Sequence, residues 1–166
     1  MTALERLRIV EVQPPWSTHL RSKSRLRKSP KWHFIDPSLA VASLGATPER
    51  LLDDMNLFGF LYESLVTRDL RVYAQAADAS VYQYRDNTGL EVDAIVEAVD
   101  GRWAAFEIKL GQSRVDEAAG DLLKFESRVD TTRVGEPALL RVVVSSSYGY
   151  RRDDGVAVIP LGSLGP

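Results

Sequence analysis

The stretch from Gly89 to Leu110, GLEVDAIVEAVDGRWAAFEIKL, constrains this chain more than any other. It reads as two short strands joined by a tight turn. Side chains alternate faces along a strand, so Glu107, Lys109 and Ala105 share one face, while Ala104, Phe106 and Ile108 point toward a core. In the first strand Val92, Ala94, Val96 and Ala98 form an apolar row, with Asp93 on the opposite face. A two-residue Asp100-Gly101 loop would set Asp93 against Ile108 and mix polar with apolar faces. A three-residue loop, Val99-Asp100-Gly101, with Gly101 left-handed in a G1 bulge, sets Asp93 across from Glu107. It also matches Val92 with Ile108, Ala94 with Phe106 and Val96 with Ala104. A one-residue slip flips every side chain, so apolar matching and carboxylate pairing argue separately for the three-residue loop.

Two carboxylates facing each other repel unless protonated or bridged by a cation. Mg²⁺ suits such a place, because one or two carboxylates hold it while it keeps waters and substrate phosphates. A lysine two residues along the same face could position a water or stabilise charge developing on a phosphate. A plain Glu–Lys pair on a polar surface has the same local pattern, and short Glu-x-Lys strings arise by chance. Position and company single this one out.

Asp93, Glu107 and Lys109, preceded by a helix bearing Glu63, resemble the active site of the PD-(D/E)XK nuclease superfamily. More closely, residues from about Arg6 to Pro166 resemble the carboxy-terminal portion of a prokaryotic AAA-type ATPase family. In that family a domain of unknown function, related to restriction endonucleases, follows the ATPase and a winged helix. The matching strings are Pro14-Pro15-Trp16, Lys28-Ser29-Pro30-Lys31, Phe34-Ile35-Asp36, Gly59-Phe60-Leu61-Tyr62-Glu63, Glu91-Val92-Asp93 and Phe106-Glu107-Ile108-Lys109.

The resemblance implies an α/β fold, a restriction endonuclease-like αβββαβ core with a mixed sheet, over residues 56–166. It implies a partial winged-helix-like basic hairpin with short helices over residues 1–55. Asp93 and Glu107 would ligate one or two Mg²⁺ or Mn²⁺ ions, with the Ile108 carbonyl as an extra ligand. Lys109 would orient or activate water, and Glu63 would support the metal or its surroundings. The implied function is a metal-dependent nuclease-like domain acting on or binding phosphodiesters, with DNA the expected nucleic acid. The alternative is a non-catalytic DNA- or protein-interaction domain of an AAA-type ATPase. The intact quartet Glu63, Asp93, Glu107 and Lys109 favours activity, since a decayed site usually loses a member.

Against that family the chain reads as a fragment, with the ATPase and winged-helix portions expected to be missing. It holds no Gly-x-x-x-x-Gly-Lys-Ser/Thr string, so no ATP site is expected. There are no cysteines among the 166 residues, hence no disulfides or thiolate metal sites, which fits a reducing cytoplasm. No signal-peptide core and no apolar run long enough for a bilayer are seen, so no membrane is expected as partner. Net charge is −2, so a nucleic-acid partner would need a local basic patch. Arg21, Lys23, Arg25, Arg27, Lys28 and Lys31 supply one, 6 of the 21 basic residues. They read either as phosphate contacts or as a solvated loop.

Along the chain, a helix end and a strand at Ile9–Val12 lead to Pro14-Pro15, and the segment Trp16 to Leu20 could pair back on that strand. A second strand is expected at Lys31–Ile35. Asp36-Pro37 and Thr47-Pro48 are helix starts, with Gly45 a stop between them. Asn56 to Ala77 is the longest helix candidate, apolar around most of its circumference and therefore expected to lie between layers. Glu63 within it needs a metal, Lys109, Arg68 or a backbone cap as partner. His19 and His33 carry no partner motif and are assigned structural roles. A strand over Val81–Arg85 enters the central pair. Ser113 is expected to cap a helix whose stripe is Val115, Ala118, Ala119, Leu122, Phe125 and Val129. Lys124 or Glu126 on it could face the site. A strand from Ala138 to Val144, parallel to the one bearing Glu107, precedes a last hairpin around Asp153-Asp154-Gly155. Ser145-Ser146-Ser147 has no base nearby in sequence, and Ser–His–Asp chemistry is set aside.

Overall fold

A computed structural model describes residues 3–17, 29–145 and 148–165. In chain order the elements are α1 (Ala3–Arg6), β1 (Val10–Gln13), β2 (Lys31–Phe34), α2 (Pro37–Leu44), α3 (Pro48–Asp53) and α4 (Met55–Ala76). They continue with β3 (Ala79–Arg85), β4 (Glu91–Ala98), β5 (Trp103–Lys109), α5 (Val115–Arg128) and α6 (Thr131–Val134). The chain closes with β6 (Leu139–Val144), β7 (Tyr150–Arg151) and β8 (Ala157–Pro160).

The helix starts follow from local chemistry. Asp36 accepts a bond from the Ser38 amide at the head of α2, where Pro37 has no amide to leave unpaired. Gly45 closes α2 in the left-handed region, φ 57°. Thr47 and Asp54 cap α3 and α4 in the same way. At α5 the expected Ser113 cap is absent. Residues 112–114 form a 3-10 turn instead, and Arg114 pairs with Glu117 on the exposed surface.

Six strands make one mixed sheet in the order β3-β4-β5-β6-β8-β7, and β1 with β2 makes a separate antiparallel hairpin. The first three strands of the sheet form an antiparallel meander, and β6 runs parallel to β5. The mixed α/β class and the αβββαβ order from α4 to β6 are as expected. The β4–β5 register is also as expected: Ala94 pairs with Phe106 and Val96 with Ala104, and Gly101 takes φ 84° in the turn.

The ladder between β4 and β5 stops at Ala94–Phe106, so Val92 does not pair with Ile108. The Ile108 amide donates instead to the Asp93 side chain at 3.0 Å. A register shift between β3 and β4 accompanies this break, with Asp93 and Ala94 of β4 standing against Gln83 alone. Val92 consequently leaves the row of Ala94 and joins Ile95 in the core beneath α5. A bulge adds one residue on one strand and shifts the alternation beyond it.

Two apolar layers sandwich the sheet. On one side Leu122, Phe125 and their stripe from α5 pack on Ile95, Trp103, Ala105 and Val142. The other side carries α4, with Tyr62, Val66, Leu70 and Ala74 against Ala94, Phe106, Ile108 and Val143. The long helix is less enclosed than its composition suggested. Phe60 and Val72 stand exposed, because the sheet lies on one side while β2, α2 and α3 cover only part of the other.

The N-terminal segment does not fold back on β1 at Trp16. The Trp16 amide bonds the Gln83 carbonyl at 2.7 Å, covering the outer edge of β3. The Trp16 ring is buried against Trp103, its centroid 5.0 Å away, and its indole N–H donates to Glu97.

Asp86, in the turn before β4, is wholly buried and accepts bonds from the Tyr84 hydroxyl, the Thr88 amide and hydroxyl, the Leu90 amide and Arg128. Burial alone would raise its pKa, but these donors outweigh it and hold the carboxyl below its usual range. A carboxylate depressed in the folded state stabilises fully above its unfolded pKa of about 3.9, and that contribution is lost as pH falls through the folded value. Asp86→Ala is therefore expected to cost about 3–5 kcal/mol at pH 7. Urea unfolding of both proteins should show the gap narrowing below about pH 4.

Candidate functional site

Where the β4–β5 ladder ends, Asp93 is turned into a partly enclosed cluster. Its Oδ2 accepts from the Ile108 amide and from Lys109 Nζ at 3.3 Å, and its Oδ1 accepts from Lys31 Nζ at 3.2 Å. Glu107 and Lys109 continue the row of Ala105, and Lys109 Nζ donates to Glu107 Oε2 at 2.5 Å. Glu63 on α4 receives Lys31 Nζ at 2.9 Å. Five side chains thus form one chain of contacts, Glu63–Lys31–Asp93–Lys109–Glu107.

The charges in this cluster are not equivalent. Burial works against ionised Asp93, but Lys31, Lys109 and the Ile108 amide outweigh it and hold Asp93 below the usual range. For Glu107, burial and the nearby Asp93 charge outweigh Lys109, and its carboxyl is pushed well up. Glu63 is raised by burial and by Asp93 against the pull of Lys31. Burial opposes both lysine charges, yet their carboxylate partners raise Lys31 and Lys109 above the ordinary lysine value. Asp93 is the firmly ionised centre, with two acids beside it that give up protons reluctantly.

The donors are hard carboxylate oxygens, which suit Mg²⁺ or Mn²⁺ in chemistry. Their arrangement pairs them with ammonium groups, and among the described residues no three Asp, Glu or His side chains gather as a ready metal cage. Any cation would compete with lysines already in place.

Behind Asp93 lies a buried polar relay. Gln13 Nε2 donates to the carbonyls of Tyr82 and Asp93, both at 2.9 Å. That leaves Gln13 Oε1 to accept from His33 Nε2 at 2.8 Å, so the other ring nitrogen, Nδ1, accepts from the Ser64 hydroxyl at 3.3 Å. Burial, followed by the charges of Arg71 and Lys31, lowers His33 to about 4, keeping it neutral. The structural role expected of His33 holds, and here it is to pin β1, β2 and α4 to the backbone of Asp93. A cleft of about 740 Å³ opens beside the cluster, bounded by Trp32, Leu57, Phe60, Leu61 and Glu63.

Glu63, Asp93, Glu107 and Lys109 meet as expected, and Ile108 contributes its amide to Asp93. Glu63 pairs with Lys31 rather than with Lys109 directly, and Arg68 is turned to Asp69 at 2.7 Å. Lys31 points into the carboxylates. Arg21, Lys23, Arg25, Arg27, Lys28 and His19 lie outside the described residues. Neither Lys124 nor Glu126 joins the cluster: Lys124 is exposed, and Glu126 lines a separate cleft with Arg141 and Arg151. The sequence reading missed Lys31 as a member of the site, along with Gln13 and Ser64. The one available signal was the alternation Lys31-Trp32-His33, which sets Lys31 and His33 on one face of β2.

The family described as a domain of unknown function, DUF4143, matches residues 58–164, more than half of the chain. The chain belongs to the DUF4143 family. This DUF4143 domain contains most of α4, the whole six-stranded sheet and four of the five cluster residues, and the family is one that associates with AAA-type ATPases. A second family of unknown function, DUF8612, matches residues 1–50, which hold Lys31, Gln13 and His33. No curated protein and no solved structure matches the chain.

Proposed function

We propose that the DUF4143 domain is a nuclease-like module that binds a divalent cation and a nucleic-acid phosphodiester, DNA in the first instance, alongside an AAA-type ATPase. The observation that supports this is the placement of Asp93 and Glu107 at adjoining strand ends, both in contact with Lys109, with Glu63 on the neighbouring helix. Asp93, Glu107 and the Ile108 carbonyl would hold Mg²⁺ or Mn²⁺, which when bound supplies charge neutralisation and a more acidic water. The Ile108 amide keeps Asp93 ionised and oriented. Lys109 carries its charge beside both carboxylates, where it can hold a water or a phosphate oxygen. Arg21, Lys23, Arg25, Arg27 and Lys28 would contact the phosphates of the nucleic acid.

A second reading is an interaction domain without hydrolysis. It is favoured by the two ammonium groups, which already neutralise most of the carboxylate charge.

The test is Mn²⁺-dependent cleavage of labelled DNA and RNA, run with calorimetric Mn²⁺ titration, for wild type, Asp93→Asn and Glu107→Gln. Metal binding and cleavage lost in both variants, with unchanged unfolding temperatures, is the expected result. Cleavage equal in all three proteins would sink the proposal. Metal-independent nucleic-acid binding without cleavage would favour the interaction domain.

A further inference from the structure

We propose that Lys31 is a built-in counter-cation of this site: it neutralises Glu63 and Asp93 when no divalent ion is bound, and loading of such an ion releases it. The inference rests on the metal-dependent reading above and adds its regulation.

The two lysines of the cluster are not interchangeable. Lys109 bonds Asp93 and Glu107, both from its own β-hairpin. Lys31 comes from β2, in the separate segment matched by the second family, and among the described residues it is the side chain that joins Glu63 to Asp93, at 2.9 and 3.2 Å. Its strand is anchored elsewhere, by His33 on Gln13 and Ser64 and by the Ser29 carbonyl on Gln83. The Lys31 ammonium can therefore leave by rotation of its own four-carbon stem while the hairpin stays docked.

Charge balance gives the exchange its direction. With all three acids deprotonated, as metal ligands must be, three carboxylates and two ammoniums carry −1. Adding a divalent ion makes +1, whereas exchanging Lys31 for it makes 0. Burying net charge is costly, so in a cluster whose carboxylates are this buried, exchange is favoured over addition. Lys31, Glu63 and Asp93 line one open cleft, which also holds the Glu91 carboxylate, so the displaced ammonium has solvent-accessible space beside the site.

Calorimetric Mn²⁺ titration of the full chain tests this with wild type, Lys31→Met, Lys31→Arg and Asp93→Asn. Lys31→Met is expected to bind Mn²⁺ at least about tenfold more tightly than wild type, Lys31→Arg to bind like wild type, and Asp93→Asn to lose binding. In parallel, amine acylation of wild type is followed by mass spectrometry, with the exposed Lys124 as internal control. Lys31 is expected to react several-fold faster at saturating Mn²⁺. Equal affinities in wild type and Lys31→Met, with loss in Asp93→Asn, would overturn the counter-cation role and leave the metal site standing. No Mn²⁺ binding in any protein, Lys31→Met included, would overturn both. If Lys31→Met does not fold, an acylation rate of Lys31 indifferent to Mn²⁺ decides against the role.

Discussion

Replacing Lys109 with methionine is expected to lower metal-dependent phosphodiester cleavage by about 10²–10³-fold, the usual range for removing one preorganised charge or donor at a reacting centre. Methionine keeps the length and apolar stem of the side chain, so the loss isolates the ammonium. That ammonium lies 2.5 Å from Glu107 and 3.3 Å from Asp93, with both carboxylates buried. Removing it also removes a competitor for the same oxygens, so Mn²⁺ affinity should stay level or tighten. Cleavage and affinity thus move separately, which a structural role for Lys109 would not produce. Single-turnover cleavage and calorimetry on one preparation check this. A fall in affinity that accounts for the lost cleavage would show that Lys109 only shapes the metal site. Arginine is not expected to restore cleavage, because its delocalised fork does not place the compact, strongly hydrated charge that Lys109 can hold beside a water or phosphate oxygen.

Phe125→Ala is expected to reduce unfolding free energy by about 3–5 kcal/mol, a large share of the roughly 5–15 kcal/mol typical of a domain. Phe125 is fully buried on α5, its ring 4.6 Å from Tyr84, 5.9 Å from Trp103 and 6.0 Å from Trp16. Truncation removes the apolar transfer term, opens a cavity and breaks three aromatic contacts at once. The rings around it belong to the N-terminal segment, β3 and β5, so the gap cannot close by moving one element. Thermal unfolding should fall by about 6–20 °C, with loss of the near-ultraviolet signal of Trp16 and Trp103. A shift below about 2 °C would mean that these rings are not packed around Phe125.

Much of the scaffold was legible in the residues. The pairs Asp36-Pro37 and Thr47-Pro48 mark helix starts because a side-chain acceptor and a missing amide satisfy the same helix end. The stripe from Val115 to Val129 has one period, and all six of its members are buried. The β4–β5 register followed because only one loop length matches the apolar rows, and Gly101 can take the required φ. Reading failed where partners are far apart in the chain. Composition suggested that α4 is enclosed all round, but Phe60 and Val72 are exposed because the covering layer is short. Ser113 was expected to cap α5, but a 3-10 turn and the Arg114–Glu117 pair took its place.

The candidate site divides in the same way. By itself the sequence determined that Asp93 and the Glu107–Lys109 pair would stand at neighbouring strand ends, because alternation and turn length are local rules. Only the tertiary structure decided which cations meet those carboxylates. Lys31 lies 32 residues from Glu63 and 62 from Asp93 along the chain, and no periodicity relates them. Their meeting depends on docking of the β1–β2 hairpin on α4 and β3 through Gln13, His33 and Trp16. It depends too on the end of the β4–β5 ladder at Ala94–Phe106, where the Ile108 amide donates to the Asp93 side chain instead. The two ammoniums and the Ile108 amide then hold Asp93 ionised against burial, while burial and the Asp93 charge raise Glu63 and Glu107. Local spacing names such groups, but their charge depends on what the rest of the chain packs around them.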